Sequence, residues 1–205
     1  MGTMMIYTIF SDLQGNFDAV TQFFRETEGR VTTYLCLGDI VQDGKTHDGS
    51  RVIDLLREHA VIGVQGNHDA ELLKKRDEAL QKISHENLEY LAALPETRSV
   101  NGFHLVHAPG GRRILDRADA ELVFSELPAD VKILLFGHSH QPAVYRLDKR
   151  GWAQNELAEK SRVTLQETDR YLINPGGVGL MWGAPQTYML YDAQRREVTL
   201  HRLER

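Results

Sequence analysis

Cysteine occurs once in the 205 residues, at Cys36. A single thiol excludes an intrachain disulfide, and its place inside an apolar run reads as a small buried hydrophobe of a reducing compartment, not a nucleophile. A basic excess is also missing: 24 Lys and Arg stand against 29 Asp and Glu, a formal charge of −5. That balance offers no broad positive field for a duplex and argues against long nucleic acid as a partner. No apolar run approaches the ~18 residues that cross a bilayer, so no membrane partner is expected. The opening Met1-Gly2-Thr3-Met4-Met5-Ile6 has no basic stretch ahead of an apolar one and no Ser or Thr at position 6. Neither a secretory leader nor myristoylation is expected, and the expectation is a cytoplasmic protein.

What is present suits one compact domain over residues 1–205, with 41% hydrophobic residues to build its core. Residues 5–10 are apolar and β-prone, and after them Asn16 can cap a helix whose Phe17, Val20, Thr21 and Phe24 share one face. Residues 32–37 form a second strand, a helix starts near Ser50, and residues 60–64 form a third strand. Three strands alternating with two helices predict a parallel sheet whose ligand groups lie at the strand C-termini. Thr97 to Val100 and Phe103 to Val106 flank Asn101-Gly102, the favoured pair of a two-residue hairpin turn. Residues 131–136 are the most apolar strand and are expected near the centre of a sheet. Beyond them come short strands at 143–147, 163–167, 171–173, 187–191 and 198–203 without helices, which suggests a second sheet. The polar stretch 151–170 reads as an insertion that shapes a cleft or moves freely. His59 lies on an apolar helix face, where a packed imidazole is the expectation and not a ligand.

The strand ends carry the chemistry. Gly66-Asn67-His68-Asp69 closes the third strand and presents an amide, an imidazole and a carboxylate. Ser11-Asp12, Gly38-Asp39, His107 and Gly137-His138-Ser139-His140 close four others. Asp12, Asp39, Asn67, His107, His138 and His140 mix carboxylate, amide and imidazole, which suits first-row divalent ions better than magnesium or calcium. Six donors exceed one tetrahedral ion, so two ions sharing a carboxylate, about 3.5–4 Å apart, are the natural reading. Such a pair clamps the attacking and leaving oxygens of an in-line displacement, and phosphoester hydrolysis fits best.

The ordered set resembles the calcineurin-like metallophosphoesterase family, from the first strand to Asn174-Pro175-Gly176-Gly177. The resemblance implies a four-layer α/β/β/α sandwich with two mixed β-sheets and a binuclear site between their loops. It implies that Asp39 bridges two divalent transition-metal ions, that Asp12 and His140 hold the first, and that Asn67, His107 and His138 hold the second. A hydroxide held between the ions would attack phosphorus, His68 would protonate the leaving oxygen, and Asp69 would orient the His68 ring.

Two departures narrow that expectation. The family's Asp-x-His reads Asp12-Leu13-Gln14 here; a glutamine oxygen can ligate a hard ion but is neutral and weaker than imidazole. The bias is then towards manganese or iron, with zinc, cobalt and nickel as alternatives. Gly38-Asp39-Ile40-Val41-Gln42-Asp43-Gly44 lacks the Asp-Arg-Gly ending of serine/threonine phosphatase relatives, and the chain looks like the small bacterial and archaeal phosphodiesterases. The expected partner is a small phosphoester or a (cyclic) nucleotide, with Asn67, Arg112 and Arg113 as candidate substrate contacts. Arg112 and Arg113 sit on a glycine-rich loop, where a guanidinium could fork onto a phosphate or simply face solvent. Leu180-Met181-Trp182-Gly183 could stack a base or pack into the domain. The alternatives are a phosphomonoesterase of the same fold and a non-catalytic protein-interaction scaffold; four imidazoles at converging strand ends argue against the latter.

Overall fold

Strands that read as continuous apolar runs are buried on both faces, and alternate residues of each feed two different cores. In β1 (Ile6–Phe10) Tyr7 and Ile9 enter one core and Phe10 another; in β2 (Thr33–Cys36) Leu35 and Cys36 divide the same way. The computed structural model describes residues 5–42, 48–148, 153–155, 157, 161–180 and 185–204. Its first sheet also holds β3 (Ile62–Gly63), β9 (Arg162–Thr164), β11 (Thr187–Asp192) and β12 (Glu197–Arg202), in the order β3-β2-β1-β11-β12-β9. The first three strands are parallel, as the sequence suggests, and β11 joins β1 antiparallel.

The second sheet runs β4-β5-β6-β10-β7-β8, built from β4 (Thr97–Val100), β5 (Phe103–Val106), β6 (Ile133–Leu135), β7 (Ala143–Leu147), β8 (Ala153–Asn155) and β10 (Arg170–Asn174). Asn101 and Gly102 both have positive φ, 50° and 85°, and join β4 to β5 with Val100 opposite Phe103. Both central residues of a type I′ turn require that conformation. β6 is flanked by β5 and β10, both parallel to it.

Three cores define four layers. Tyr7, Ile9, Leu35, Leu105, Leu135 and Ile173 fill the space between the sheets. Phe10, Phe23, Val52, Leu56, Leu88 and Leu91 lie between the first sheet and the helices α1 (Phe17–Thr27), α2 (Gly49–Glu58) and α5 (His85–Ala93). Val123, Phe124, Leu134, Phe136 and Leu172 join the second sheet to α6 (Arg117–Glu126). The α/β/β/α sandwich with two mixed sheets is as the sequence implies. Asn16 caps α1 by accepting from the Ala19 amide at 3.2 Å. His59 ends α2 with its ring stacked 3.9 Å from that of Phe24, away from any ligand role. Cys36 is buried, and burial pushes its thiol far above the ordinary thiol range.

Two expectations give way. The stretch 151–170 is not simply a loop insertion: within it β8 pairs with β7 and β9 with β12, so the chain lends an edge strand to each sheet. β9 overlaps the strand expected at 163–167, whereas β8, only three residues long, matches no expected strand; short, polar strands are what exposed sheet edges tolerate. And Asn67, His68 and Asp69 lie not in a strand-end loop but in the first turn of α3 (Asn67–Lys74), which is followed by the short α4 (Arg76–Ala79).

Candidate metal centre

Loops leaving the two sheets meet where β1, β2, β5 and β6 end. Five residues of this meeting place, Asp12, Gln14, Asp39, His138 and His140, have φ between 48° and 66°, in the left-handed region that side chains avoid. Backbone hydrogen bonds between loops hold them there: Asp12 N to Gly38 O at 3.0 Å, Gln14 N to Asp39 O at 2.9 Å and Gly179 N to Asp12 O at 2.9 Å. Several such residues in one place mark a functional site whose strain the surrounding structure sustains.

Asp39, His107 and His138 place one donor atom each within 4.8 Å of one another. His107 is buried, with Nδ1 2.7 Å from the Leu37 carbonyl. That bond orients the ring so that Nε2 faces Asp39 Oδ2 at 3.2 Å and Asn67 Oδ1 at 3.1 Å. Burial lowers the proton affinity of His107, but the Asp39 carboxylate outweighs burial and raises the pKa to about 9. A positive charge therefore belongs between these atoms, as a proton or as a metal ion. For Asp39 burial acts upward, yet the hydrogen bond and charge of His107 and the His68 amide hold its carboxyl below the ordinary range. His138 stands T-shaped to His107, ring centres 5.2 Å apart; burial and then the charges of His107 and Arg113 lower its pKa.

The other half surrounds Asp12. Asp12 Oδ2 accepts the His138 amide at 3.2 Å, while Oδ1 is buried without a hydrogen-bond partner and lies 3.1 Å from His140 Nε2. A buried carboxylate oxygen left open beside an imidazole nitrogen fits a cation bound to both. Gln14 reaches the same nitrogen, its Nε2 3.3 Å from His140 Nε2. Turning the carboxamide by half a rotation would offer its oxygen instead. The donors present thus suit divalent metal on either side of Asp39.

His68 and Asp69 part company. The His68 ring lies towards the centre, Nε2 3.9 Å from Asp39 Oδ2, and is partly exposed. Asp69 is fully buried and takes the Gly66 amide on Oδ2 at 2.9 Å and the Val41 amide on Oδ1 at 3.0 Å. The expectation that Asp69 orients the His68 ring is therefore corrected: neighbours on a helix do not face each other, and the carboxylate is spent on backbone. Gly66-x-x-Asp69 is an N-terminal capping pattern, the signal that would have shown this beforehand. Gly66 is also obligatory, since a Cβ there would come 2.1 Å from the Asp39 nitrogen and 2.2 Å from its Oδ1.

The sequence pattern of the calcineurin-like phosphoesterase superfamily domain matches residues 5–196. The chain belongs to that family. A metallophosphoesterase from Sphaerobacter thermophilus has the same fold at a TM-score of 0.78, with 26% identity over 98% of this chain and 89% of that one. An uncharacterised protein of Methanocaldococcus jannaschii is 27% identical over 222 residues, 96% of this chain and 86% of that protein. A hypothetical protein from Pyrococcus horikoshii shares the fold at a TM-score of 0.71 and 18% identity, covering 98% and 88% of the two chains. Calcineurin-like phosphoesterases bind divalent metal and hydrolyse phosphoester bonds, and the converging carboxylates and imidazoles are suited to both.

The remaining candidates divide. Arg112 is committed to Glu126 of α6, Nη1 to Oε2 at 2.5 Å, whereas the charge of Arg113 is felt at His138. Leu180 is buried and its carbonyl accepts from Gln186 Nε2 at 2.9 Å; residues 181–184 lie outside the described residues, as do Asp43 and Gly44. Sequence reasoning missed Glu96, Thr97 and Ala108, which stand beside Asn67 and His107. Ala108 is there as the neighbour of His107, but no local pattern marks Glu96 and Thr97, because only the pairing of β4 with β5 brings them there.

Two outcomes are expected. Asp69→Asn turns an acceptor towards backbone N–H into a donor and should cost about 1–3 kcal/mol of stability in urea titrations. It should leave the pH dependence of hydrolysis in place; a displaced profile without loss of stability would restore a role in orienting His68. Metal taken up at His107 must displace its proton below the pKa of about 9. Apparent Mn²⁺ affinity should therefore rise with pH, by about tenfold per unit between about pH 6.5 and 8.5, with one proton released. Titration calorimetry in buffers of different ionisation heat measures this, and a pH-independent Kd would exclude His107 as a ligand.

Proposed function

We propose that this calcineurin-like protein is a metal-dependent phosphodiesterase acting on small organic phosphodiesters, cyclic nucleotides among them. The observation that carries the reading is the cluster of Asp39, His107 and His138 within 4.8 Å, with the His68 ring beside the shared carboxylate. In this reading Asp39, Asn67, His107 and His138 would hold one divalent ion, and Asp12, Gln14 and His140, with Asp39, would hold a second. When bound, the ions supply Lewis acidity to an attacking water and to a phosphoryl oxygen.

The protein's own groups do the rest. His68 presents a ring that is partly open to solvent and close to the centre, placed to give a proton to the departing alcohol. The first-turn position on α3 fixes the backbone that carries that ring, because the His68 amide donates to Asp39 Oδ1 at 2.9 Å. Proton donor and metal ligand are thereby tied to one carboxylate. Arg113 is the guanidinium whose charge reaches the centre, and Arg112 is neutralised by Glu126. One guanidinium is therefore at hand beside His138 for a phosphoryl oxygen.

With Mn²⁺ present, bis(p-nitrophenyl) phosphate should be hydrolysed with a higher kcat/KM than p-nitrophenyl phosphate; the opposite ranking would make the protein a monoesterase. His68→Ala should lower kcat by about 10²–10⁴ on diesters with alkyl leaving groups and by less on nitrophenyl esters, which leave without a proton. Equal losses on both would deny His68 the proton-donor role. Two Mn²⁺ per chain are expected, one held more weakly beside neutral Gln14. Gln14→His should tighten the weaker by about tenfold, and unchanged affinity would show that Gln14 is no ligand.

A further inference from the structure

Two cavities lie side by side next to the centre. The nearer, of about 460 Å³, has Asn67 and His107 in its wall together with Gln65, Glu96 and Ala108. The farther, of about 240 Å³, is walled by Pro109, Val123, Leu127 and Leu134. Thr97, Val106 and Gly110 belong to both walls. Thr97 and Val106 are partners across the β4–β5 hairpin, so the cavities form one trough with its neck at that pair.

Size and charge together say what the trough takes. The nearer cavity alone falls within the ~300–1,000 Å³ of small-ligand sites, far more than a phosphoryl group occupies. Among the described residues of both walls there is no Lys or Arg, and Glu96 and Glu126 are acidic. Arg112, whose guanidinium lies next to Gly110, is paired with Glu126. A second anionic group in the trough would lose water without gaining a counter-charge. Apart from Thr97, His104 and Glu126, the wall of the farther part is apolar and favours hydrocarbon or an aromatic ring instead.

We infer that the trough receives the organic arm of the phosphodiester and that this arm is an uncharged, apolar or aromatic alcohol, not a polyphosphate or a nucleic-acid chain. The inference rests on the phosphodiesterase reading and adds its specificity. Thr97 is the specificity-determining position, because its exposed side chain on the edge strand β4 lines the neck. Substitution there disturbs neither core nor centre.

The test uses phosphonates, which carry one organic arm and no leaving group. Methylphosphonate, phenylphosphonate and 4-carboxyphenylphosphonate are titrated calorimetrically into the Mn²⁺-loaded protein. Phenylphosphonate should bind about tenfold or more tighter than methylphosphonate, and the added carboxylate should weaken it. Thr97→Trp, which closes the neck, should bring the phenyl-to-methyl ratio to within about twofold. Thr97→Arg should raise the affinity for the carboxyphenyl compound relative to the phenyl one. A protein that hydrolyses bis(p-nitrophenyl) phosphate yet binds all three phosphonates alike, or whose ratios do not move in the Thr97 variants, overturns the inference alone. One that binds none and hydrolyses no diester overturns the reading beneath it.

Discussion

One buried carboxylate, Asp39, has to be kept charged, and most of the centre is arranged to do so. Its Oδ1 accepts the His68 amide, its Oδ2 faces His107 Nε2, and its backbone carbonyl takes the Gln14 amide. Removing a carboxylate from water costs several kcal/mol after relaxation, so compensation must come from oriented donors and a nearby cation. The start of α3 after β3 and the loop after β5 supply that compensation, while the loop after β1 fixes the Asp39 backbone. The family's divalent ion is the natural completion of the same electrostatic requirement.

Close backbone approach follows from this convergence. Gly66 can lie against Asp39 only without a Cβ, and that contact sets the start of α3, hence the place of His68. The buried Asp69 then serves the same junction from below, fastening the Gly66 and Val41 amides. Left-handed conformations at Asp12, Gln14, Asp39, His138 and His140 cost of order 1–3 kcal/mol each. Rigid sheets on either side, joined by a core of interleaved side chains, offset that strain and keep the donors aimed inward.

Substituting glutamine for the imidazole usual at position 14 leaves the scaffold intact. The carboxamide still reaches His140, and Asp12 still turns an unpartnered oxygen towards the same nitrogen. What changes is donor strength, since a neutral amide oxygen binds a transition ion less strongly than an imidazole. The second half of the centre, with Asn67, His107 and His138, keeps the full donor set. In the proposed two-ion reading, occupancy of the first half is thereby the more sensitive to metal identity and supply.

Much of this was written locally. The apolar runs at 5–10, 32–37, 60–64 and 131–136 read as buried strands because side chains alternate between the faces of a strand, and the helix-free strands after them pointed to a second sheet; the four layers came with the family resemblance. Donor types at strand ends, Asp12, Asp39, Asn67, His107, His138 and His140, likewise pointed to a cation centre, because carboxylate and imidazole together have few other uses at such points. The tertiary structure alone decided that Asp69 serves the backbone and not His68, that Arg112 is paired with Glu126, and that 151–170 supplies edge strands to both sheets. It alone made the trough beside Asn67 and His107. Each of these depends on which distant donor, acceptor or strand edge stands opposite, and hydrogen-bond partners far apart in the chain leave no periodicity or spacing for a sequence to display.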